Sequence, residues 1–315
     1  ILSGMAAGGA AAAATATYAL SNAVDTYVSF EQEMATVQSI SGASATQFLA
    51  MKEAALEAGS STVFTATEAA SALEYMSLAG WDVNTSISNL NPMLKMAAAT
   101  GKELQTTSDL VTDSMSALGL EVDDLDMYLD KLVKTNNSAN TTAEELMEAL
   151  VNTGGSARVL GADLDDTITA LGILANNGKK GTEAGTALNA IFSRLSGNTT
   201  TIKGLKELGV DLWTTDTREF IGFEEALDRI HAALSELTDE EYAFRLKQIA
   251  GTHYNSQLEY LLNSRALKEG SDTNAWDILE EKVVHSTGAL KNMYDITTDT
   301  LLNAQKRLES WWIMH

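Results

Sequence analysis

Apolar residues recur at intervals of three and four along most of the chain, which is the spacing of one buried face of an α-helix. After Thr238, for example, Leu246 and Ile249 fall on one side of a helical projection. Short polar stretches rich in Ser, Thr, Asp or Gly separate segments of this kind. The pattern predicts an all-α fold, a multi-helix bundle of roughly a dozen short antiparallel helices.

Capping boxes mark several helix starts. In such a box a Ser or Thr side chain accepts a bond from a free backbone N–H, and a Glu or Gln three residues later reaches back. Glycines mark several helix ends, because glycine readily adopts the left-handed conformation that closes a helix. The predicted boxes are Ser44 with Gln47, Thr65 with Glu68, Thr141 with Glu144 and Thr238 with Glu241, and the predicted stops are Gly59, Gly80, Gly101, Gly119 and Gly251.

One segment departs from the helical pattern. Between Leu208 and Leu227, β-forming residues flank the polar stretch Thr214–Thr217, which is poor helix material. We predict a small β-hairpin over about residues 210–221, with Val210–Trp213 paired to Glu219–Ile221. An isolated hairpin is marginally stable in water, so we expect it to lie against helices.

Helices are expected at both ends of the chain. Residues 1–29 are rich in Ala and Gly and uncharged before Asp25, so they could form a tightly packed interface helix or a membrane-contacting one. Because Ala and Gly partition weakly into lipid, we favour tight packing, and without a basic stretch we expect no secretory signal. Residues 271–315 are expected to form a long helix, with an interruption possible at Gly288, that ends in the apolar run Trp311–Met314. A helical core domain is then expected over residues 30–270.

The charge balance narrows the classes of partner. The 315 residues include 21 Lys and Arg against 43 Asp and Glu, a net charge of −22. A field of this sign repels phosphate, so we expect no sequence-specific nucleic-acid binding. The chain has no Cys, which excludes disulfides and thiolate chemistry, and its single proline, Pro92, suits a mostly helical protein.

The ionisable residues form no recognised catalytic or metal-binding pattern. No two histidines stand at the helical spacing of metal ligands, and the acidic groups lack the loop glycine and closing glutamate of a calcium-binding loop. Both acidic groups precede predicted helices, so we interpret them as helix caps. The histidines are His231, His253, His285 and His315, and the acidic groups are Asp123, Asp124 and Asp126, and Asp163, Asp165 and Asp166.

One glycine-rich loop, Asn176–Asn189, carries Lys179 and Lys180 ahead of a predicted helix. A phosphate-binding loop follows a β-strand and has Ser or Thr after its Lys. Here Gly181 follows the lysines and a helix precedes the loop, so we do not predict phosphate binding. We therefore expect no catalytic residue, no cofactor and no metal, and a protein that is not an enzyme.

Three longer stretches carry a shared pattern, in the order Phe30–Trp81, Asn176–Leu195 and Leu208–Leu262. The first places a Ser-Gly-Ala turn and a Thr-x-Phe-Thr-Ala turn between helices. The second contains Gly-x-x-x-Gly-Thr-x-Leu followed by Phe-x-Arg-Leu. The third has a Gly-Val strand, a polar turn and a helix that ends at Ile249–Thr252. In this order and spacing they resemble the conserved core of phage tail tape measure proteins, with one departure at Ala250, where that family has Phe-Gly-Thr.

The resemblance implies a structural component of a phage, prophage or tail-like particle. Tape measure proteins extend as helical oligomers inside the tail tube, set its length, contact the tube protein and the tail-tip or baseplate hub, and leave ahead of the DNA. By resemblance we expect self-association as a trimer, a location in the virion tail lumen or tip, and contact with the host membrane during ejection.

Two other functions are weighed against this interpretation. A membrane-active, pore-forming module for genome ejection is the first alternative, and it rests on the two apolar ends of the chain. A wall-degrading enzyme is the second, and no motif in the chain supports it.

Overall fold

A computed structural model of the chain describes residues 25–267 and 270–299. These residues form fifteen α-helices and one 3-10 turn and contain no β-strand, which confirms the all-α prediction. In chain order the helices are α1 (25–41), α2 (Ala45–Ser61), α3 (Ala66–Leu78), α4 (Val83–Thr100), α5 (Leu104–Leu118), α6 (Leu125–Asn136, after the turn Val122–Asp124), α7 (Ala143–Leu160), α8 (Leu164–Asn176), α9 (Gly181–Gly197), α10 (Thr199–Glu207), α11 (Phe223–Ser235), α12 (Asp239–Ala250), α13 (Asn255–Arg265), α14 (Ala275–Val284) and α15 (Ala289–Thr298).

The described residues divide into two compact units. Unit 1 holds residues 25–109 and 294–299, and unit 2 holds residues 110–267 and 270–293. The boundaries fall within α5 and α15. The three-part division expected from the sequence, 1–29, 30–270 and 271–315, stays a prediction.

Unit 1 is built from α1 to α4, the first turns of α5 and the end of α15. Helices α2, α3 and α4 pack on one another in all three pairs. The core is rich in methionine, whose flexible thioether fills irregular gaps between helices that carry many small Ala side chains. The fully buried methionines of this unit are Met34, Met51, Met76, Met93 and Met96.

Unit 2 is organised around α8. Every residue from Asp166 to Ala175 is buried, as expected of a helix that is surrounded by others on all sides. Helices α7 and α9 make the most extensive helix–helix contact of the described residues. A Cβ at Gly181 would lie 2.8 Å from Glu148 and one at Gly185 would lie 2.4 Å from Ala149. Residue numbers rise together along the two helices, so α7 and α9 are parallel, an exception to the expected antiparallel packing.

The predicted capping boxes hold with one shift of register. Helix α7 begins at Ala143, so its box uses Thr142 and Glu145 rather than the predicted Thr141 and Glu144. The other three boxes have both reciprocal hydrogen bonds and are confirmed: Ser44 with Gln47, Thr65 with Glu68, and Thr238 with Glu241.

The predicted glycine stops hold at four of five positions. Gly80, Gly101, Gly119 and Gly251 follow the ends of α3, α4, α5 and α12 at positive φ. Gly59 is wrong as a stop, because it lies inside α2, which ends at Ser61. A Cβ there would lie 2.6 Å from the Ala66 backbone nitrogen, so glycine serves the close approach of α2 and α3.

The predicted β-hairpin over residues 210–221 is not formed. One isolated antiparallel bridge joins Trp213 to Phe220, with a backbone bond of 2.8 Å from Thr214 N–H to the Glu219 carbonyl. The Glu219 N–H donates to the Thr214 hydroxyl at 3.0 Å instead of to a backbone carbonyl. Hydroxyl groups in this polar turn thus take over hydrogen bonds that a strand ladder needs, and pairing stops at the bridge.

The expected long C-terminal helix is, within residues 271–299, two ten-residue helices, α14 and α15. The interruption falls where Gly288 has φ +82°. The Asp130 carboxylate accepts the Gly288 N–H at 2.7 Å and the Leu290 N–H at 2.9 Å, so α6 supplies the cap for α15. Residues 300–315 lie outside the described residues, as do residues 1–24 of the expected N-terminal helix.

Among the described residues, no helix has both the length and the hydropathy needed to cross a bilayer.

Candidate functional site

The second and third sequence stretches meet where α9 packs against the end of α12. Arg194, on α9, donates from Nε to the Ile249 carbonyl at 2.7 Å and from Nη2 to the Gln248 carbonyl at 2.9 Å. The Thr201 hydroxyl donates to the same Ile249 carbonyl at 3.0 Å. The last carbonyls of a helix have no partner within it, and a cation there also suits the helix dipole. We call Arg194, Thr201, Gln248 and Ile249 the arginine clamp.

The Gly-x-x-x-Gly pattern of the second stretch serves the pairing of α7 with α9. A Cβ at Gly185 would stand 2.4 Å from the Ala149 carbonyl oxygen, so only glycine allows this separation. The gap that remains is bridged by the buried Thr153 hydroxyl, which donates to the Gly185 carbonyl at 2.9 Å. The close approach of the two backbones therefore accounts for the glycine at position 185.

An aromatic cluster ties α9, α11 and α14 together. The ring centroid of Phe223 lies 4.8 Å from that of Phe192 and 6.0 Å from that of Trp276, edge to face in both pairs. All three side chains are fully buried. Such pairs add to the hydrophobic contribution of burial and fix the relative positions of the three helices.

The start of α11 is capped from another helix. Gly222 stands at its N-cap and has no side chain to offer. The Asp166 carboxylate, on α8, accepts the Phe223 N–H at 2.8 Å and the Glu224 N–H at 3.3 Å. Burial, together with the negative charge of Asp163, raises the pKa of Asp166 to about 6, although the two N–H donors act in the opposite direction.

The acidic group Asp163, Asp165 and Asp166 therefore divides into three roles. Asp163 caps its own helix by accepting the Asp166 N–H at 2.7 Å, which confirms the capping interpretation for that residue. Asp165 instead forms an ion pair of 2.6 Å with Lys131 of α6, whose side chain is only 10% exposed. Asp166 caps a different helix. Sequence spacing cannot reveal the last two roles because their partners are remote along the chain.

A second junction, the Arg265 cluster, joins α11, α13 and α14 and consists of Arg265, Glu224, Asp228, Asp277 and Glu280. Arg265 donates to both Asp228 oxygens at 2.7 Å and to Asp277 at 2.6 Å, and it forms an ion pair with Glu224 at 2.8 Å. Its side chain is 8% exposed. Burial alone would lower the pKa of Arg265, but the Asp228 hydrogen bonds and the surrounding carboxylates raise it above its usual value.

Glu280 completes this cluster without an ion pair among the described residues. Burial and the negative charges of Glu224 and Asp166 raise the pKa of Glu280 to about 7. Nothing in the sequence pattern singles out Arg265 or Glu280. Their partners lie on three different helices, which sequence spacing does not bring together.

The remaining residues considered from the sequence stand apart from these junctions. Lys179 pairs with Glu183 at 2.6 Å, and Lys180 donates to the Asn140 side chain at 3.0 Å. The Asp124 carboxylate accepts the Glu121 N–H at 3.0 Å. His253 and His285 are exposed and His231 is partly exposed, whereas His315 lies outside the described residues.

Unit 1 has an acidic surface groove of about 440 Å³. Burial raises the pKa of Glu74 in this groove, as do the hydrogen bond and the charge of its neighbour Glu33. The groove is lined by four glutamates and five other residues, namely Glu33, Glu68, Glu74 and Glu103, and Thr67, Ser71, Tyr75, Leu104 and Gln105.

The comparisons with known proteins agree on one class. The model of the phage-related minor tail protein family matches residues 52–251. The chain is 30% identical to the tape measure protein of Pneumococcus phage Dp-1 over an alignment of 273 residues. This alignment covers 86% of the chain. It is 28% identical to the probable tape measure protein of Escherichia phage P2 over an alignment of 192 residues. This alignment covers 60% of the chain. The aligned part is 23% of the length of each relative. No solved structure matches the chain.

Proposed function

The chain belongs to the phage-related minor tail protein family, as a tape measure core of the phage tail, and we propose that it acts within the tail tube as part of the protein that sets tail length. The observation that carries the proposal is the match over residues 52–251, which includes the arginine clamp and the α7–α9 glycine contact. Both features hold helices together and expose no reactive group. They suit a stably folded segment of a protein that sets tail length.

The negative charge of the chain supports a location in the tail lumen, through which the DNA passes. A net charge of −22 repels the phosphate backbone, so a protein in the lumen would not retain the genome as it leaves. We propose that the tape measure core leaves the tail ahead of the DNA and that it contacts the tail-tip or baseplate hub beforehand. We also propose contact with the host membrane during ejection.

Exposed apolar side chains support self-association and contact with tail proteins. Val159 on α7 is 75% exposed and Phe244 on α12 is 63% exposed. Apolar side chains of this kind form part of protein–protein contact surfaces, where a partner protein covers them. We propose a trimer of the chain, with the tail tube protein as a second partner.

Light scattering after size-exclusion chromatography tests self-association directly. The expected mass is three times the 33.6 kDa of one chain. A matched variant, Val159→Glu, places a charge on the exposed α7 face and is expected to shift the population towards monomer without loss of helicity. A native chain that stays monomeric and does not bind purified tube or hub protein would contradict the proposed assembly.

The membrane-active alternative rests on residues 1–24 and 300–315, which lie outside the described residues. Release of a dye from liposomes by the whole chain distinguishes it. No release across the pH range would exclude a pore-forming role for this chain.

A further inference from the structure

Two carboxylic acids lie at the junction of α8, α11 and α14 without an ion pair among the described residues. Asp166, on α8, is 4% exposed, and one of its carboxyl oxygens lies 2.8 Å from the Phe223 backbone nitrogen. Glu280, on α14, is half-buried and has an oxygen within 4.8 Å of oxygens of Glu224 and Asp277. Because burial disfavours a charged carboxylate that has no cation, this placement favours the protonated form of both groups.

Arg265, on α13, is already occupied by other carboxylates. Its Nε and Nη2 donate to the two oxygens of Asp228, and its Nη1 lies 2.6 Å from Asp277 and 2.8 Å from Glu224. The charge of an ionised Glu280 would be added to carboxylates that share one guanidinium, and nearby like charges disfavour ionisation. The charged groups around Asp166 and Glu280 are Asp163 and Asp165 on α8, Lys131 on α6 (paired with Asp165), Glu224 and Asp228 on α11, Arg265 on α13 and Asp277 on α14.

The pKa values of the two acids agree with this imbalance of charge. Burial, with the charges of Glu224 and Asp166, raises the pKa of Glu280 to about 7, and burial, with the charge of Asp163, raises the pKa of Asp166 to about 6. Since both pKa values lie above those of the unfolded chain, protons on these groups stabilise the fold in acid. That contribution is lost as the pH rises through the folded-state pKa values, roughly between pH 5 and 8.

Helix α14 depends on its packing against other helices. It has ten residues, and isolated helices shorter than about 12–15 residues are marginally stable in water. Its buried residues are Trp276, Leu279 and Val283, and a Cβ at Gly172 of α8 would lie 2.7 Å from the Leu279 side chain. Glu280 follows Leu279 in the chain, so a negative charge on Glu280 arises beside the contact that holds α14 on α8.

We propose that Glu280 and Asp166 form a proton-dependent latch, which in its protonated state holds α14 on α8 and which loosens α14 when the two protons are lost towards alkaline pH. The start of α11 stays capped in both states, because a protonated carboxyl of Asp166 keeps an oxygen that can accept the Phe223 N–H. The effect is therefore expected in α14. This inference concerns unit 2 and does not depend on the proposed role in the tail, so failure of one leaves the other intact.

Hydrogen exchange measured by mass spectrometry on the whole chain tests the latch. The variant Glu280→Gln keeps the shape of the side chain and is neutral at every pH, so it imitates the protonated acid. Native and variant chains are compared at the same pH, because the chemical rate of exchange itself changes with pH. At pH 8 we expect residues 275–284 to exchange about ten times faster in the native chain, since one pKa unit is a factor of ten in an equilibrium constant. At pH 5 the two chains should exchange at equal rates.

The matched control is Glu281→Gln, which removes the same charge from the exposed neighbour on α14 and should exchange like the native chain at both pH values. Asp166→Asn should slow the exchange of residues 275–284 at pH 8, and it provides the comparison if circular dichroism shows that Glu280→Gln is unfolded. Equal exchange of this segment in the native chain and the folded variants at pH 8 would overturn the proposal. A Glu281→Gln effect as large as that of Glu280→Gln would also overturn it, because the cause would then be the overall negative charge.

Discussion

Replacement of Arg194 by Met isolates the contribution of the arginine clamp. Met keeps much of the aliphatic volume of the Arg side chain but removes the guanidinium, which holds the Ile249 carbonyl at 2.7 Å and the Gln248 carbonyl at 2.9 Å. The backbone of α12 stays where it is, so the change deletes donors without creating a large cavity.

The expected loss follows from the partners that remain. A hydrogen bond to a charged group contributes roughly 1.5–3 kcal/mol to stability, and the charge at the helix end adds roughly 0.3–1 kcal/mol. The Ile249 carbonyl keeps its bond of 3.0 Å from Thr201, which recovers part of the loss. We therefore expect the free energy of unfolding to fall by about 2–4 kcal/mol.

Urea unfolding followed by circular dichroism measures this difference. The midpoint should fall while the slope of free energy against urea stays the same, because the surface exposed on unfolding does not change. Arg218→Met is the control, since Arg218 is 69% exposed and its nearest carboxylate oxygen, on Asp211, is 3.8 Å away. Its loss should stay within about 0.5 kcal/mol. An Arg194→Met midpoint equal to that of the control would refute the reasoning.

Two further predictions concern packing and pH. Gly185→Ala places a Cβ 2.4 Å from the Ala149 carbonyl and should lower the free energy of unfolding by about 1–3 kcal/mol, whereas Gly155→Ala enters open space on α7 and should raise it by about 0.5–1 kcal/mol. Similar urea midpoints for the two variants would show that α7 and α9 are not closely packed. Burial and Glu33 raise the pKa of Glu74, so its protonated form stabilises the fold at low pH and this contribution is lost as pH rises through the folded-state pKa. Glu74→Gln should therefore melt at a higher temperature than the native chain at pH 8 and at nearly the same temperature at pH 4, and equal differences at both pH values would contradict the assignment.

The local features of the fold are predictable from the sequence because they depend on neighbouring residues. The boxes at Ser44, Thr65 and Thr238 need only residues three positions apart, and they are confirmed. The box of α7 is displaced by one residue because Thr141 and Thr142 are both suitable caps. The resemblance to tape measure proteins, drawn from ordered motifs, is confirmed by the family match over residues 52–251.

Features that depend on remote partners are not predictable in this way. Gly59 has the appearance of a helix stop, yet it allows α2 to approach Ala66. Val210–Ile221 has β-forming residues, yet hydroxyl groups in its turn satisfy the backbone and leave a single bridge. Arg265 and Glu280 gain their environment only when α11, α13 and α14 meet. The parallel contact of α7 with α9 likewise appears only in three dimensions.

The most direct test of the central claim is tail length measured by electron microscopy. Codons for residues 30–270 would be deleted in frame in the phage or prophage that encodes the chain, with the rest of the reading frame intact. A tape measure core predicts particles without tails, or tails of uncontrolled length, and restoration of normal tails when the native gene is supplied in trans. Tails of native length and normal frequency without residues 30–270 would contradict the account.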